Sequence, residues 1–257
     1  MISLLTDKVA VITGGGGAGI AQGLAQAGAA VEVADIKAAA AQQVADEIQQ
    51  QGGRALAVAC DVADSASVTS LAAQITTTFG SVDILVNNAA IYPARPWTEI
   101  SEAEWDRVFA VNIKGYYLCA RAVYPSMKAR GGGKISNISS ITFFLGKWDG
   151  AAHPLRDRLL DYVSTKGAVV GFTKALAREL GPECLRGNCI APGAFPTDAE
   201  KIHPDPAGYN QFVRENQAIK RRGTPSDMAN AVLFFASNLG DFVTGHSRLV
   251  DGGWAML

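Results

Sequence analysis

Tyr162 and Lys166 stand four residues apart in the stretch Tyr162-Val163-Ser164-Thr165-Lys166. On an α-helix this spacing places a phenol and an ammonium on one face, one above the other. At a separation of ~4–5 Å and an effective dielectric near 20, a phenolate and Lys⁺ attract by roughly 3–4 kcal/mol. The spacing therefore predicts a tyrosine pKa lowered from ~10 to roughly 7–8, poised for general acid–base work near neutral pH. A Tyr-x-x-x-Lys match alone also describes a solvated pair on a surface helix, so its weight rests on its surroundings.

Glycines carry a second chemistry. Gly14, Gly16 and Gly19 fit G-x-G-x-x-G between an apolar, β-branched run (Val9 to Thr13) and an Ala/Gln/Leu stretch of helical character reaching Gly28. Such glycines let backbone N–H groups approach a pyrophosphate at a helix N-terminus. A flexible turn would use the same residues, but the strand-to-helix setting favours the phosphate cradle. Asp35 ends the next apolar run, about 20 residues past the first glycine, where a carboxylate accepts hydrogen bonds from both ribose hydroxyls of an adenosine and repels a 2′-phosphate. This predicts NAD over NADP. Capping a helix over 37–51 is the structural alternative for Asp35, and the two roles are compatible.

The elements needed to position these residues can be read in order. Apolar runs at Val9–Thr13, Ala29–Ala34, Arg54–Cys60, Asp83–Val86, Lys134–Ile138, Gly187–Ala191 and Ser247–Val250 predict strands. Helical patterns fall between them at 37–51, 65–79 and 101–128, on the Tyr162 helix to about Leu180, and near 207–219 and 225–237. Gly181-Pro182 stops the Tyr162 helix. Strands alternating with helices predict an α/β fold: one Rossmann-like, doubly wound parallel sheet of about seven strands with helices on both faces. No linker or composition break divides residues 1–257, so a single domain is expected.

Composition narrows the partners. The chain has 257 residues, 48% apolar and 18% charged, with net charge −1, which supplies a core and no electrostatic reason to expect nucleic acid or an anionic membrane. Four cysteines without a C-x-x-C pair read as reduced packing thiols of a cytoplasmic protein. Three histidines without zinc-like spacing make a metal site unexpected. The N-terminus reaches Asp7 and Lys8 before any long apolar run and resembles neither a signal peptide nor a spanning helix.

Together these motifs resemble the short-chain dehydrogenase/reductase family across essentially the whole chain. Thr13-Gly14 with the glycine run, Asp61-Val62, Asn87-Asn88-Ala89-Ala90, Asn112, Ser139-Ser140, Tyr162-x-x-x-Lys166, Pro192-Gly193 with Thr197, and Asp251-Gly252-Gly253 occur in the family's order. The resemblance implies that Tyr162 exchanges a proton with the substrate oxygen while Ser140, rather than Ser139, hydrogen-bonds that oxygen. Lys166 would bind the nicotinamide ribose, and Asn112 would hold a water linking Lys166 to solvent. Cofactor contacts are implied at Gly14, Gly16, Gly19, Ile20, Asp35, Ile36, Asp61, Val62, Asn88, Tyr162, Lys166, Phe195 and Thr197. A homotetramer or homodimer is implied as well.

Three features depart from the family pattern. Its Thr-Gly-x-x-x-Gly-x-Gly fits only with one extra residue, which leaves Ala21 where the last glycine is expected, and Thr13 to Gly28 is short by roughly one helical turn (~3.6 residues). Ala90 replaces a glycine. The segment 144–161 is long and, with a second loop at 193–220, falls beside the substrate. There Trp148 and Asp149 could stack on and hydrogen-bond a ligand, although a solvated loop with cancelling charges has the same composition.

The expected activity is NAD-dependent interconversion of a secondary alcohol and its carbonyl, with hydride transfer performed by the cofactor. Gly245-His246 and Asp251-Gly252-Gly253-Trp254 resemble sugar and polyol dehydrogenases. Ile91-Tyr92-Pro93 and Thr142-Phe143-Phe144 resemble enzymes of aromatic secondary alcohols. A 3-oxoacyl thioester reductase is a third reading, opposed by Asp35. A dinucleotide-binding protein without turnover is the rival from another class, and the complete Asn112, Ser140, Tyr162 and Lys166 set argues against it.

Overall fold

A computed structural model describes residues 3–146, 158–196 and 205–256. Seven parallel strands form one sheet: β1 (Val9–Thr13), β2 (Ala30–Asp35), β3 (Arg54–Ala59), β4 (Ile84–Asn87), β5 (Gly133–Ile138), β6 (Leu185–Pro192) and β7 (Ser247–Val250). Their spatial order is β3-β2-β1-β4-β5-β6-β7. The order reverses between β1 and β4, and a crevice opens beyond the carboxyl ends of such strands at that point. Every neighbouring pair is parallel, and the central strands, covered on both faces, read as near-continuous apolar runs, while the edge strands β3 and β7 are partly exposed.

The core is two layers of apolar side chains. One side of the sheet packs Ile12, Val31 and Val33 against α1 (Ala18–Gln26), α2 (Ala38–Gln50) and α9 (Pro225–Ala236). The other packs Val11, Leu85 and Ile135 against α3 (Ser65–Phe79) and α5 (Gly115–Ala129). The remaining helices are α4 (Glu102–Phe109), α6 (Ile141–Leu145), α7 (Leu160–Leu180) and α8 (Pro206–Asn216). The shortened α1 lies close on α9: a Cβ on Gly19 would sit 2.4 Å from Cβ of Pro225. Gly19 thus serves helix packing as much as the turn before it.

Several expectations change in detail. The helix read over 101–128 is interrupted by a π-helical turn at Ala110–Lys114, which carries Asn112. One extra residue there breaks the regular ladder, a feature found often at functional sites. Asp35 does not cap α2, whose N-cap is Lys37 and has no side-chain cap. Cys60, Cys119 and Cys189 are buried as expected, whereas Cys184 is exposed with φ +59°. Glu32 is fully buried on β2, with both carboxylate oxygens lacking a hydrogen-bond partner, a placement its strand pattern did not announce.

Candidate active site

Three elements converge beyond the carboxyl end of β5. The strand ends at Ile138, and Ser139 and Ser140 follow. The Ser139 hydroxyl donates to the main-chain oxygen of Lys166 at 2.7 Å, pinning the strand end to α7. Ser140 caps the short α6: its Oγ accepts from the N–H of Thr142 at 3.2 Å and from the Thr142 hydroxyl at 2.9 Å. The Ser140 hydroxyl also interacts with the Tyr162 phenol, an interaction that lowers the phenol's pKa. The sequence marked Thr142 only within Thr142-Phe143-Phe144, as a sign of substrate class, and not as a partner of Ser140.

Helix α7 presents Tyr162 and Lys166 on one face, as their spacing requires. The Lys166 ammonium lies 5.4 Å from the centroid of the Tyr162 ring. Tyr92 meets the same ring edge-on at 5.5 Å and is 37% exposed, forming an aromatic wall beside the phenol. The Asn112 side chain is buried and makes three hydrogen bonds. Its Oδ1 accepts from Ile91 N–H at 2.8 Å, and its Nδ2 donates to Ile91 O at 2.9 Å and to Thr165 Oγ1 at 3.1 Å. Asn112 therefore ties the segment after β4 to α7, one turn from Tyr162.

The electrostatics differ from the expectation of a phenol near pKa 7–8. Burial pushes the Tyr162 phenol up to about 12, opposed by the Ser140 hydrogen bond. Burial presses Lys166 down to about 7. Both charged forms lose water, and an ammonium that gives up its proton near 7 is no longer a full charge where a phenolate would form. Spacing set the contact but not the dielectric around it.

Most of the residues expected to bind a cofactor stand at or just past the carboxyl ends of β1, β2, β3 and β4. Gly14 has φ +85°, and a Cβ there would come within 2.8 Å of Ala89 Cα, so only a glycine lets the two strand ends approach this closely. Thr13 Oγ1 accepts from the N–H groups of Asn88 and Ala89 at 3.1 and 3.2 Å, and Asn88 Nδ2 donates back to Thr13 O and Gly14 O. Gly16 falls within the Gly15–Gly17 turn that leads into α1. Asp35 stands at the end of β2, where it accepts from the Gly15 N–H and, at 2.7 Å, from the Lys37 N–H. Beside it Ile36 is 62% exposed, an uncovered apolar face.

Asp61 is shared, accepting from Ala63 N–H at 2.9 Å and pairing with Arg107 at 3.2 Å. Val62 is buried against Gly115. Ile20 is buried in the core, so its main chain is what it can offer a ligand. Phe195 lies beside Gly223, after β6. Trp148, Asp149 and Thr197 lie outside the described residues.

A glycine turn at the sheet's reversal point, an acidic residue at the end of β2 and an exposed apolar flank fit a dinucleotide. The sequence pattern of a family described as enoyl-(acyl carrier protein) reductase matches residues 11–255. The chain is a short-chain dehydrogenase/reductase. It is 36% identical to D-xylose 1-dehydrogenase of Caulobacter vibrioides over 97% of this chain and 96% of that one. A solved 7α-hydroxysteroid dehydrogenase, complexed with NADH and 7-oxoglycochenodeoxycholic acid, superposes with TM-score 0.88 at 36% identity, covering 98% and 96% of the two chains. A gluconate 5-dehydrogenase from Burkholderia cenocepacia, in complex with NADP and tartrate, gives 0.87 at 33% identity over 98% and 97%. This short-chain dehydrogenase/reductase is thus an oxidoreductase of the kind that acts on hydroxyl and keto groups. Among its described residues no helix is long and apolar enough to cross a membrane.

Proposed function

We propose that the protein interconverts a secondary alcohol and its ketone with NAD as hydride carrier and Tyr162 as the proton-transferring group. The observation that carries this reading is the meeting of Ser140, Tyr162 and Lys166 at one strand end, next to the crevice that suits a dinucleotide. The cofactor would supply hydride transfer at its nicotinamide C4. Ser140, held at the start of α6 by its contacts with Thr142, would hold the substrate oxygen against Tyr162. In carbonyl reduction the neutral phenol gives that oxygen its proton; in alcohol oxidation the phenolate takes it back. Lys166 would bind the nicotinamide ribose hydroxyls, and Asn112 would keep α7 in register.

NAD is favoured over NADP because Asp35 sets a carboxylate where a 2′-phosphate would lie. A polyol- or sugar-like substrate is the leading reading, carried by Trp148 and Asp149 and by the ending Asp251-Gly252-Gly253-Trp254. The edge-on Tyr92 wall beside Tyr162 favours a second one, an alcohol borne next to an aromatic or alicyclic ring. The relatives that act on xylose and on a hydroxysteroid span the same two classes. Absorbance at 340 nm, followed with NAD and NADP over panels of polyols, sugars and ring-bearing secondary alcohols and ketones, tests the whole reading. Expected is turnover with NAD at least about tenfold better in kcat/KM, a difference of ~1.4 kcal/mol. No turnover on either panel would leave a binding protein in its place.

A further inference from the structure

Lys166 is held by more than its own helix. Its Nζ donates to the main-chain oxygen of Ile138 at 2.7 Å and lies 3.4 Å from the Tyr116 hydroxyl. Tyr116, one turn beyond Asn112 on α5, is 1% exposed, and its hydroxyl donates to the same Ile138 oxygen at 3.0 Å. With that proton committed, a lone pair of the Tyr116 oxygen is left to face the ammonium. The ammonium also lies 5.5 Å from the Tyr116 ring centroid, against 5.4 Å for Tyr162, so it sits between two phenol rings. A cation within ~6 Å of a ring face is attracted to it, more strongly when water is excluded.

The other groups facing Lys166 are few. Tyr162 lies on its own helix, the Cys189 thiol comes from β6, and the Ile138 carbonyl from β5. Among the described residues no carboxylate is paired with it. Ile138 is followed at once by Ser139 and Ser140, so the Tyr116–Ile138–Lys166 junction joins the strand end bearing Ser140, the helix bearing Tyr162, and α5.

We propose that Tyr116 is a positioning residue of this active site: its ring and hydroxyl hold the Lys166 ammonium at the Ile138 oxygen, and so beside Tyr162. The proposal deepens the oxidoreductase reading and rests on it for the meaning of the site. Burial works against the charged amine. The Tyr116 oxygen and ring face work for it, and removing them makes the ammonium easier to deprotonate.

The test needs no cofactor and no turnover. Lysine is labelled with ¹³C at Cε, the Lys166 resonance is assigned by its loss in Lys166→Arg, and it is titrated in the ligand-free protein. Tyr116→Phe keeps the ring and removes the oxygen; Tyr116→Leu removes both. Expected is a Lys166 pKa that falls by about half a unit or more in Tyr116→Phe and further in Tyr116→Leu. Should Tyr116→Leu fail to fold, the near-isosteric Tyr116→Phe decides alone. A shift smaller than that in Tyr116→Phe overturns the proposal. If the shift appears but no alcohol or ketone is turned over, the positioning of Lys166 stands and the oxidoreductase reading fails separately.

Discussion

At the scale of single residues, Tyr162 is a half-buried phenol whose pKa desolvation pushes up to about 12, so that it keeps its proton through the physiological range. A protonated phenol is ready to be the acid of carbonyl reduction. Alcohol oxidation, which needs the base, should therefore rise with pH across the measurable range, while reduction stays flat until the alkaline end. Tyr162→Phe removes the transferable proton and little else. It should bind NAD as the parent does, by fluorescence titration, while kcat falls by ~10²-fold or more. Retention of more than a tenth of the activity would remove Tyr162 from its role. Lys166→Ala should lower kcat and weaken NAD binding together. Asp35 accepts from two main-chain N–H groups, one in the glycine turn. Asp35→Ala should then relax the NAD preference and also loosen the turn, seen as weaker binding of both dinucleotides.

Among the elements, β2 carries the largest unexplained cost. Its alternation sends Val31 and Val33 to one face and Ala30, Glu32 and Ala34 to the other, among apolar neighbours and near Cys60. Burial raises the Glu32 carboxyl to about 8 from an ordinary 4.5. Between these two values the folded chain holds a proton that the unfolded chain has released, so unfolding free energy falls as pH rises. The contribution is fully present below 4.5 and lost by about 8, at ~1.4 kcal/mol per pH unit across that window. Urea unfolding of the parent should show this decline between pH 5 and 8. Glu32→Gln, which cannot titrate, should show a flatter profile and the greater stability at pH 8. Parallel profiles would mean that Glu32 has a partner or is not buried.

For the whole molecule, β3 and β7 are the two edges of the sheet. The β7 side is flanked by Leu239, 59% exposed, and Phe242, fully exposed, with Phe234 on α9 at 42%. Tyr117 on α5, which follows the Asn112 turn, is 47% exposed. Exposed apolar residues grouped at an edge strand and on a long helix are what association would cover. The proposed homotetramer would use both surfaces and the homodimer one. Light scattering at micromolar concentration should give two or four chain masses, and a single chain mass would end the proposal.

The primary structure alone determined the order and kind of the elements, because parallel strands buried on both faces read as short apolar runs and the helices between them as longer patterns. It also determined that Tyr162 and Lys166 share a face, since helix geometry is local. The glycine turn and Asp35 were legible for the same reason: each is defined by its distance along the chain from a strand end. Tertiary structure decided the rest. Tyr116 meets Lys166 from 50 residues away, Thr142 matters only through its contacts with Ser140, and the π-helical turn at Asn112 is a break in a pattern that reads as continuous helix. The pKa of Tyr162 moved opposite to expectation, and Glu32 went unnoticed, for a common reason. Desolvation is the sum over everything packed around a group, and those neighbours come from strands and helices far apart in sequence.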